Sequence, residues 1–200
     1  MKIINTATEN IIIEGPVTAD FIRSLTMHEK LSNFRSPARQ QEALTIVAQS
    51  PEGLVYIAHN NQYIVGYTLF HYPSQYTRWS RHPRILELGA IEVARDYQKM
   101  GIAKKLLETA FENPLLEEYV VITTEFFWHW DLKGSRLDVW SYQKMLTKLF
   151  GYAGFKKRRT DDPEILEHPA NMLMVRFGSK VPYQYIKAFE DLTYQNSLVD

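Results

Sequence analysis

The chain has 200 residues, 45% of them hydrophobic and 13% aromatic, which is enough to bury a core and too apolar for a disordered protein. Lys plus Arg and Asp plus Glu both number 23, so the formal charge is zero and the basic excess expected of a nucleic-acid binder is missing. The absence of cysteine excludes disulfides, thiolate metal sites and a cysteine nucleophile. No apolar run approaches the roughly 18 residues of a membrane span, and the first residues lack a basic segment followed by an apolar signal-peptide core. The expectation is a single soluble, cytoplasmic domain over residues 1–200, with no nucleic-acid or membrane partner.

In chain order, Ile11–Ile13 is a short strand closed by Glu14-Gly15-Pro16. Thr18 can cap a helix with Phe21, Ile22 and Leu25 on its inner face. Ser36-Pro37 begins a second helix, with Pro at its first position and Ala43, Leu44 and Val47 as the apolar stripe. After the turn Pro51-Glu52-Gly53, Leu54–His59 and Tyr63–Tyr72 read as two strands joined at Asn60-Asn61, residues that tolerate positive φ. A polar aromatic loop, Pro73–Pro83, carries Tyr76, Trp79 and His82.

The next stretch organises the chain. Ile85–Val93 is a buried strand, and Ile102, Ala103, Leu106, Leu107, Ala110 and Phe111 form one face of a helix. Between them Gln98-Lys99-Met100-Gly101-Ile102-Ala103 is a tight turn feeding the helix N-terminus, where N–H groups and a partial positive charge attract phosphate. Gly101 and Ala103 are small enough for a pyrophosphate to approach the backbone. Neither the Gly-x-Gly-x-x-Gly pattern nor a terminal Gly-Lys-Ser/Thr occurs here.

Beyond Asn113-Pro114, Tyr119–Glu125 is another buried strand, followed by the unusual run Phe126–Asp131. Ser135, with Asp138 three residues on, can cap a helix lined by Val139, Tyr142, Leu146 and Leu149. Phe155–Arg159 and Met172–Phe177 are strand candidates, and an amphipathic helix over about 182–195 follows Pro182. The basic run Lys156–Arg159 reads as a solvated face, although it can also attract an acidic partner or a ribose phosphate. His59, His71 and His82 lack metal-ligand spacing, so no metal is expected.

The strand ending at Val93, the Gln-x-x-Gly-x-Ala turn and the Leu-rich helix resemble the acetyl-CoA-binding motif of the Gcn5-related N-acetyltransferase (GNAT) superfamily. The element order β-α-α-β-β-β-α-β-α-β-β resembles that superfamily from end to end. The resemblance implies an α/β fold with a mixed, strongly twisted central sheet and helices on both faces. It also implies that acetyl-CoA is bound as co-substrate. The backbones of Ile91 and Val93 would pair with the pantetheine arm, and the pyrophosphate would sit on Gln98, Lys99, Met100, Gly101, Ile102, Ala103 and Lys104.

Glu87 is the candidate general base. It lies four and six residues before Ile91 and Val93 on one strand, so period-two alternation puts all three on one face. Its distance from Gln98 also matches the catalytic glutamate of the histone-acetylating members of the superfamily. Burial on an apolar strand would raise its pKa and suit it to proton abstraction; the alternative is a carboxylate paired with an Arg or a helix terminus. Glu92 points the other way and reads as structural. His129 is a second candidate, as base or substrate contact, against the alternative of an inert histidine wedged among aromatics. Many members place a tyrosine acid four residues before a closing Gly-Phe. Here that position is Phe150, so Tyr142 or Tyr152 would have to substitute, or the thiolate leaves unaided.

Longer stretches resemble one branch of the superfamily, the acetoin-utilisation acetyltransferases of bacilli. They are Ile13–Val17, Glu87–Val93, Thr123–Gly134, Asp138–Trp140 and His168–Asn171, with Trp128–Gly134 far more specific than the cofactor turn. In place of the usual Arg-Gly the turn here has Gln98-Lys99-Met100, which backbone amides should tolerate. The branch resemblance implies a protein lysine acetyltransferase whose partner is acetyl-CoA synthetase, which it switches off. Trp79, Trp128, Trp130, His168 and Asn171 are the expected contacts to that protein substrate. A small-amine acetyltransferase and a non-catalytic acyl-CoA-binding regulator are the other readings.

Overall fold

Apolar residues in this chain fall on strands at period two and on helices at i, i+3 and i+4, and the elements form where those patterns lead. The computed structural model describes residues 1–6 and 9–195. Nine strands and seven α-helices occur among them, and they divide into two compact units. One is Met1–His71 with Leu88–Asn113; the other is Tyr72–Glu87 with the chain from Pro114 on.

In the first unit β1 (Lys2–Asn5), β2 (Asn10–Glu14), β4 (Leu54–His59) and β5 (Tyr63–His71) pair antiparallel in that order. A short β3 (Thr26–Met27) lies parallel to β5. Asn61 takes φ +72° in the β4–β5 turn, as its type allows. Every residue of β4 is buried, so both of its faces must be covered. Val55 and Ile57 pack with Ile22, Leu25 and Leu44 of the region around α1 (Ala19–Ser24) and α2 (Pro37–Gln49). On the other face Tyr56 meets Phe70 and bonds Asn113, just past α3 (Ile102–Ala110). Thr18 caps α1 by accepting from the Phe21 N–H at 3.2 Å, as expected. Ser36 precedes α2 with Pro37 at its start but makes no side-chain cap.

In the second unit the first residues of β6 (Ile85–Val93) run parallel to β7 (Val120–Glu125), with Glu87 opposite Ile122. β7 pairs antiparallel with β9 (Met172–Phe177), and β8 (Lys156–Arg158) with the other side of β9. Ile85, Val120, Ile122, Leu173 and Val175 make one apolar face, covered by Trp79 and by Phe189 and Leu192 of α7 (Tyr183–Thr193). Alternation turns Met172 to the opposite face, where Thr147 of α5 (Val139–Tyr152) contacts its sulfur. All three β8 residues are exposed, as a solvated basic edge strand would be.

Two strands and two one-turn helices escape the sequence pattern: β1, β3, α4 (Leu132–Ser135) and α6 (Pro163–Leu166). They are too short to show a period. The Ser135 cap is also corrected. Ser135 ends α4, whose own cap is Asp131, while Asp138 caps α5 by accepting from the N–H groups of Trp140 (2.9 Å) and Ser141 (3.0 Å). Asp outranks a distant Ser here because its carboxylate reaches two N–H groups of the first turn.

Candidate active site

The turn after β6 is built by backbone conformation. Gly101 is the N-cap of α3 at φ +80°, and a Cβ placed there would meet nothing within 4 Å. The left-handed conformation therefore selects glycine, while the space over the helix N-terminus is open. Lys99 also takes positive φ, at +65°. The first N–H groups of α3 have no acceptor within the helix, which makes this end electropositive. The Gln98 amide donates back to the Val93 carbonyl at 3.2 Å, tying the turn to the strand end. Gly66 on β5 admits the turn: a Cβ there would press the Glu92 carbonyl (3.2 Å) and the side chains of Ile102 and Val93 (3.3 Å each). An open, positive-φ cradle of this kind fits a pyrophosphate.

Glu92 accepts from the Tyr67 hydroxyl (2.7 Å) and the Asn33 N–H (2.9 Å), the structural use expected of it. Burial, reinforced by the Glu92 carboxylate, holds the Tyr67 phenol well above its ordinary pKa.

Glu87 belongs to the second unit. The ladder between β6 and β7 ends at Glu87, and Thr124, two residues beyond its partner Ile122, donates a hydroxyl hydrogen bond to it at 3.0 Å. Both line a cavity of about 230 Å³, with Phe126 beside them and Tyr76, Trp79, Pro163 and Glu164 among the walls. Arg78 and Asp162 lie there too, paired with each other at 3.5 Å.

The opposite face of β7 holds a second acid. Glu125 accepts from Thr123 Oγ1 (2.9 Å) and from the Trp130 indole N–H (3.2 Å), and Trp130 stacks on Tyr142 at 5.2 Å. Burial raises the Glu125 carboxyl; the two hydrogen bonds oppose the rise and the Glu87 charge adds to it. Sequence reading missed Thr124, Glu125, Arg78 and Glu164. Thr124 is revealed only by strand register, and Glu125 only by the indole that folds back onto it.

The expected site residues therefore separate. Glu87 and Trp79 share the cavity, but Trp79 is 2% exposed and stacked on Phe189, so it is core material with one edge on the wall. Trp130 and Tyr142 lie with Glu125 and are not on the cavity lining. Trp128 is 47% exposed and stacks on Phe126 at 4.9 Å. His129 is exposed, edge-on to Phe126 and Trp128. His168 is held 4.1 Å from the Phe127 ring, with Trp140 stacked at 6.3 Å. Asn171 is buried, accepting from the Phe127 N–H (3.0 Å) and donating to the Glu164 carbonyl (3.1 Å). Both ends of its amide hold the chain. Among the described residues no group of three or more His, Asp or Glu is placed to hold a metal ion, and no helix is long and apolar enough to cross a membrane.

The family model described as "Acetyltransferase (GNAT) family" matches residues 22–124, which take in both the turn and the Glu87–Thr124 pair. The chain belongs to this family: its fold is the α/β GNAT fold, with parallel and antiparallel strand pairs, and it is an acetyl-CoA-dependent N-acetyltransferase. It is 43% identical over 193 residues to the acetoin utilization protein AcuA of Bacillus subtilis (strain 168), covering 96% of this chain and 92% of that one. The AcuA of Bacillus licheniformis is 41% identical, with 98% and 94% covered. The crystal structure of an acetoin utilization protein from Exiguobacterium sibiricum 255-15 superimposes with a TM-score of 0.95 at 43% identity, covering 98% of this chain and 94% of that one.

Proposed function

We propose that this N-acetyltransferase acetylates a lysine of a protein, and that the protein is acetyl-CoA synthetase, which the modification switches off. The observation that carries the lysine reading is the charge of the cavity. Glu87, Glu164 and Asp162 are all on its lining, while the guanidinium there, Arg78, is already engaged by Asp161 and Asp162. Such a cavity favours an ammonium group over an anion or a neutral alcohol. The choice of synthetase rests on the likeness of Thr123–Gly134 to the acetoin-utilisation branch. The whole chain, 1–200, would serve as one N-acetyltransferase domain, since the family match takes residues from both units.

Acetyl-CoA supplies the acetyl thioester, so that transfer forms a C–N bond, breaks the C–S bond and releases coenzyme A. The first N–H groups of α3, with the Gly101 backbone open above them, would hold the pyrophosphate. The backbones of Ile91 and Val93 would align the pantetheine arm along β6, on the strand that carries Glu87. Glu87, oriented by Thr124, would take the proton of the lysine ammonium. Tyr142, stacked on Trp130 off the cavity lining, is left out of the proton path, and coenzyme A leaves as a thiolate that takes up the second nitrogen proton as the amide forms.

The test mixes the purified protein, acetyl-CoA and acetyl-CoA synthetase and follows intact mass and synthetase activity. A gain of one acetyl group with falling activity, lost in Gly101→Glu, is the expected result. No mass change, with acetyl-CoA still bound by calorimetry, would reject the synthetase and leave a small amine or a binding role.

A further inference from the structure

We infer that Arg78 is a positioning residue, whose buried guanidinium pins the Tyr76–Trp79 wall of the cavity to the start of α6 and so shapes the entrance used by the protein acceptor. The inference rests on the acetyl-acceptor reading of that cavity. The Arg78 side chain is 9% exposed, and those of Asp161 and Asp162 are 12% and 13% exposed. One terminal nitrogen donates to the Asp161 carboxylate and to the Leu192 carbonyl (3.1 Å), and the other donates to the Asp161 carbonyl (3.4 Å). Nε lies 3.5 Å from the Asp162 carboxylate, whose other oxygen accepts from the Glu164 N–H at 3.1 Å. One planar cation thus joins three segments: the turn carrying Tyr76 and Trp79, the entry to α6, and the end of α7.

Two of those segments cannot hold themselves. α6 has four residues, and between β5 and β6 the chain has only the four-residue 3-10 turn Arg78–Arg81. Single turns are marginal without tertiary support. Yet Tyr76, which is 90% exposed, and Glu164 stand on them and border the cavity. A buried ion network is a poor source of stability compared with an apolar filling, but its fork geometry admits one arrangement of its partners. Here that arrangement sets where Tyr76 and Glu164 stand relative to Glu87.

The test uses the full chain with Arg78→Lys, Arg78→Met and the double variant Arg78→Met/Asp161→Asn. The last removes the cation together with the Asp161 charge it holds most closely, and the remaining Asp162 carboxylate keeps the Glu164 N–H as a donor. The expected result for the double variant is a KM for acetyl-CoA synthetase raised about tenfold, with kcat changed less than about twofold, as loss of uniform binding requires. Acetyl-CoA affinity should be unchanged, hydrogen exchange should quicken in residues 72–83 and 160–166, and Arg78→Lys should restore part of both effects. An unchanged KM, or faster exchange throughout with kcat, KM and thermal midpoint all degraded together, would overturn the inference. If the wild-type protein does not acetylate the synthetase, the substrate reading fails by itself. The clamp is then decided by exchange: quickening in both segments supports it and unchanged exchange rejects it.

Discussion

The turn at Gln98–Lys104 and the cavity lined by Glu87 are built by different physics. The turn works through its backbone: a glycine at φ +80° with open space above it, at the start of a nine-residue helix. Its requirements are local, so a short stretch of sequence states them. The cavity works through side chains delivered by β6, β7, the segment around Arg78 and the start of α6, residues far apart in the chain. Its requirements are met only after folding. Changes in the first region should therefore act on cofactor affinity, and changes in the second on turnover or acceptor affinity.

Glu87→Gln gives the largest expected effect. A general base contributes about 10²–10⁴ to rate, so kcat should fall by that order while acetyl-CoA affinity in calorimetry stays put. Loss of both together would erase the distinction between the two regions. Thr124→Val removes only the bond that orients Glu87, and a fall of about tenfold in kcat is expected, in line with loss of one hydrogen bond to a charged group.

Gly101→Glu should weaken acetyl-CoA binding by about 100-fold, because a carboxylate would compete for the phosphate position at the helix N-terminus. Gly101→Ala sharpens the point. Nothing lies within 4 Å of the added carbon, so only the left-handed strain of about 1–2 kcal/mol remains, visible in the thermal midpoint more than in affinity. Equal effects of Ala and Glu on binding would mean that the turn's shape matters and its charge does not.

Two tryptophans two residues apart in sequence, Trp128 and Trp130, test the second region on stability. Trp130→Phe leaves the Glu125 carboxyl short of one donor and should cost about 1–3 kcal/mol in denaturant unfolding. Trp128→Ala, at a residue 47% exposed, should cost under about 1 kcal/mol. A reversal of that order would displace Glu125 from its buried role.

In pH dependence, two glutamates of the second unit run in opposite directions. The Ser179 N–H, together with Arg176, pulls the Glu117 carboxyl down from 4.5 to about 2. Its stabilising effect is full above 4.5 and is lost as pH falls toward 2, because the unfolded chain binds the proton first. Burial pushes Glu125 up, so over the range between its unfolded and folded pKa the folded state holds the extra proton and stability declines as pH rises. Thermal midpoints against pH should show Glu117→Gln flattening the acid limb. Glu125→Gln should gain on the wild type as pH rises above the ordinary carboxylate pKa of about 4. Parallel curves for either variant would remove that carboxylate from the explanation.

Much of the fold was legible because its long elements announce themselves. Leu54–His59 and Ile85–Val93 are apolar runs of strand length, and α3 shows its apolar face at helical spacing. Thr18 at α1, Pro37 at α2 and Gly101 at α3 mark their starts by local conformational preference. Asn171 and Trp130 show the opposite case. As residue types they suit a substrate surface, and only the folded chain turns one amide onto Phe127 and Glu164 and one indole onto Glu125.

What the sequence alone determined is everything that depends on backbone preference and apolar period: the order of the long elements, the glycine turn before α3 and the placing of Glu87, Ile91 and Val93 along one strand. Tertiary structure decided which side chains meet. The parallel register of β6 and β7 sets Thr124 beside Glu87, alternation along β7 sends Glu125 to the other face, and an ion network draws Arg78 to Asp161 and Asp162. Torsional preferences act within a few residues, whereas hydrogen bonds and ion pairs act across space between segments whose separation no local pattern encodes.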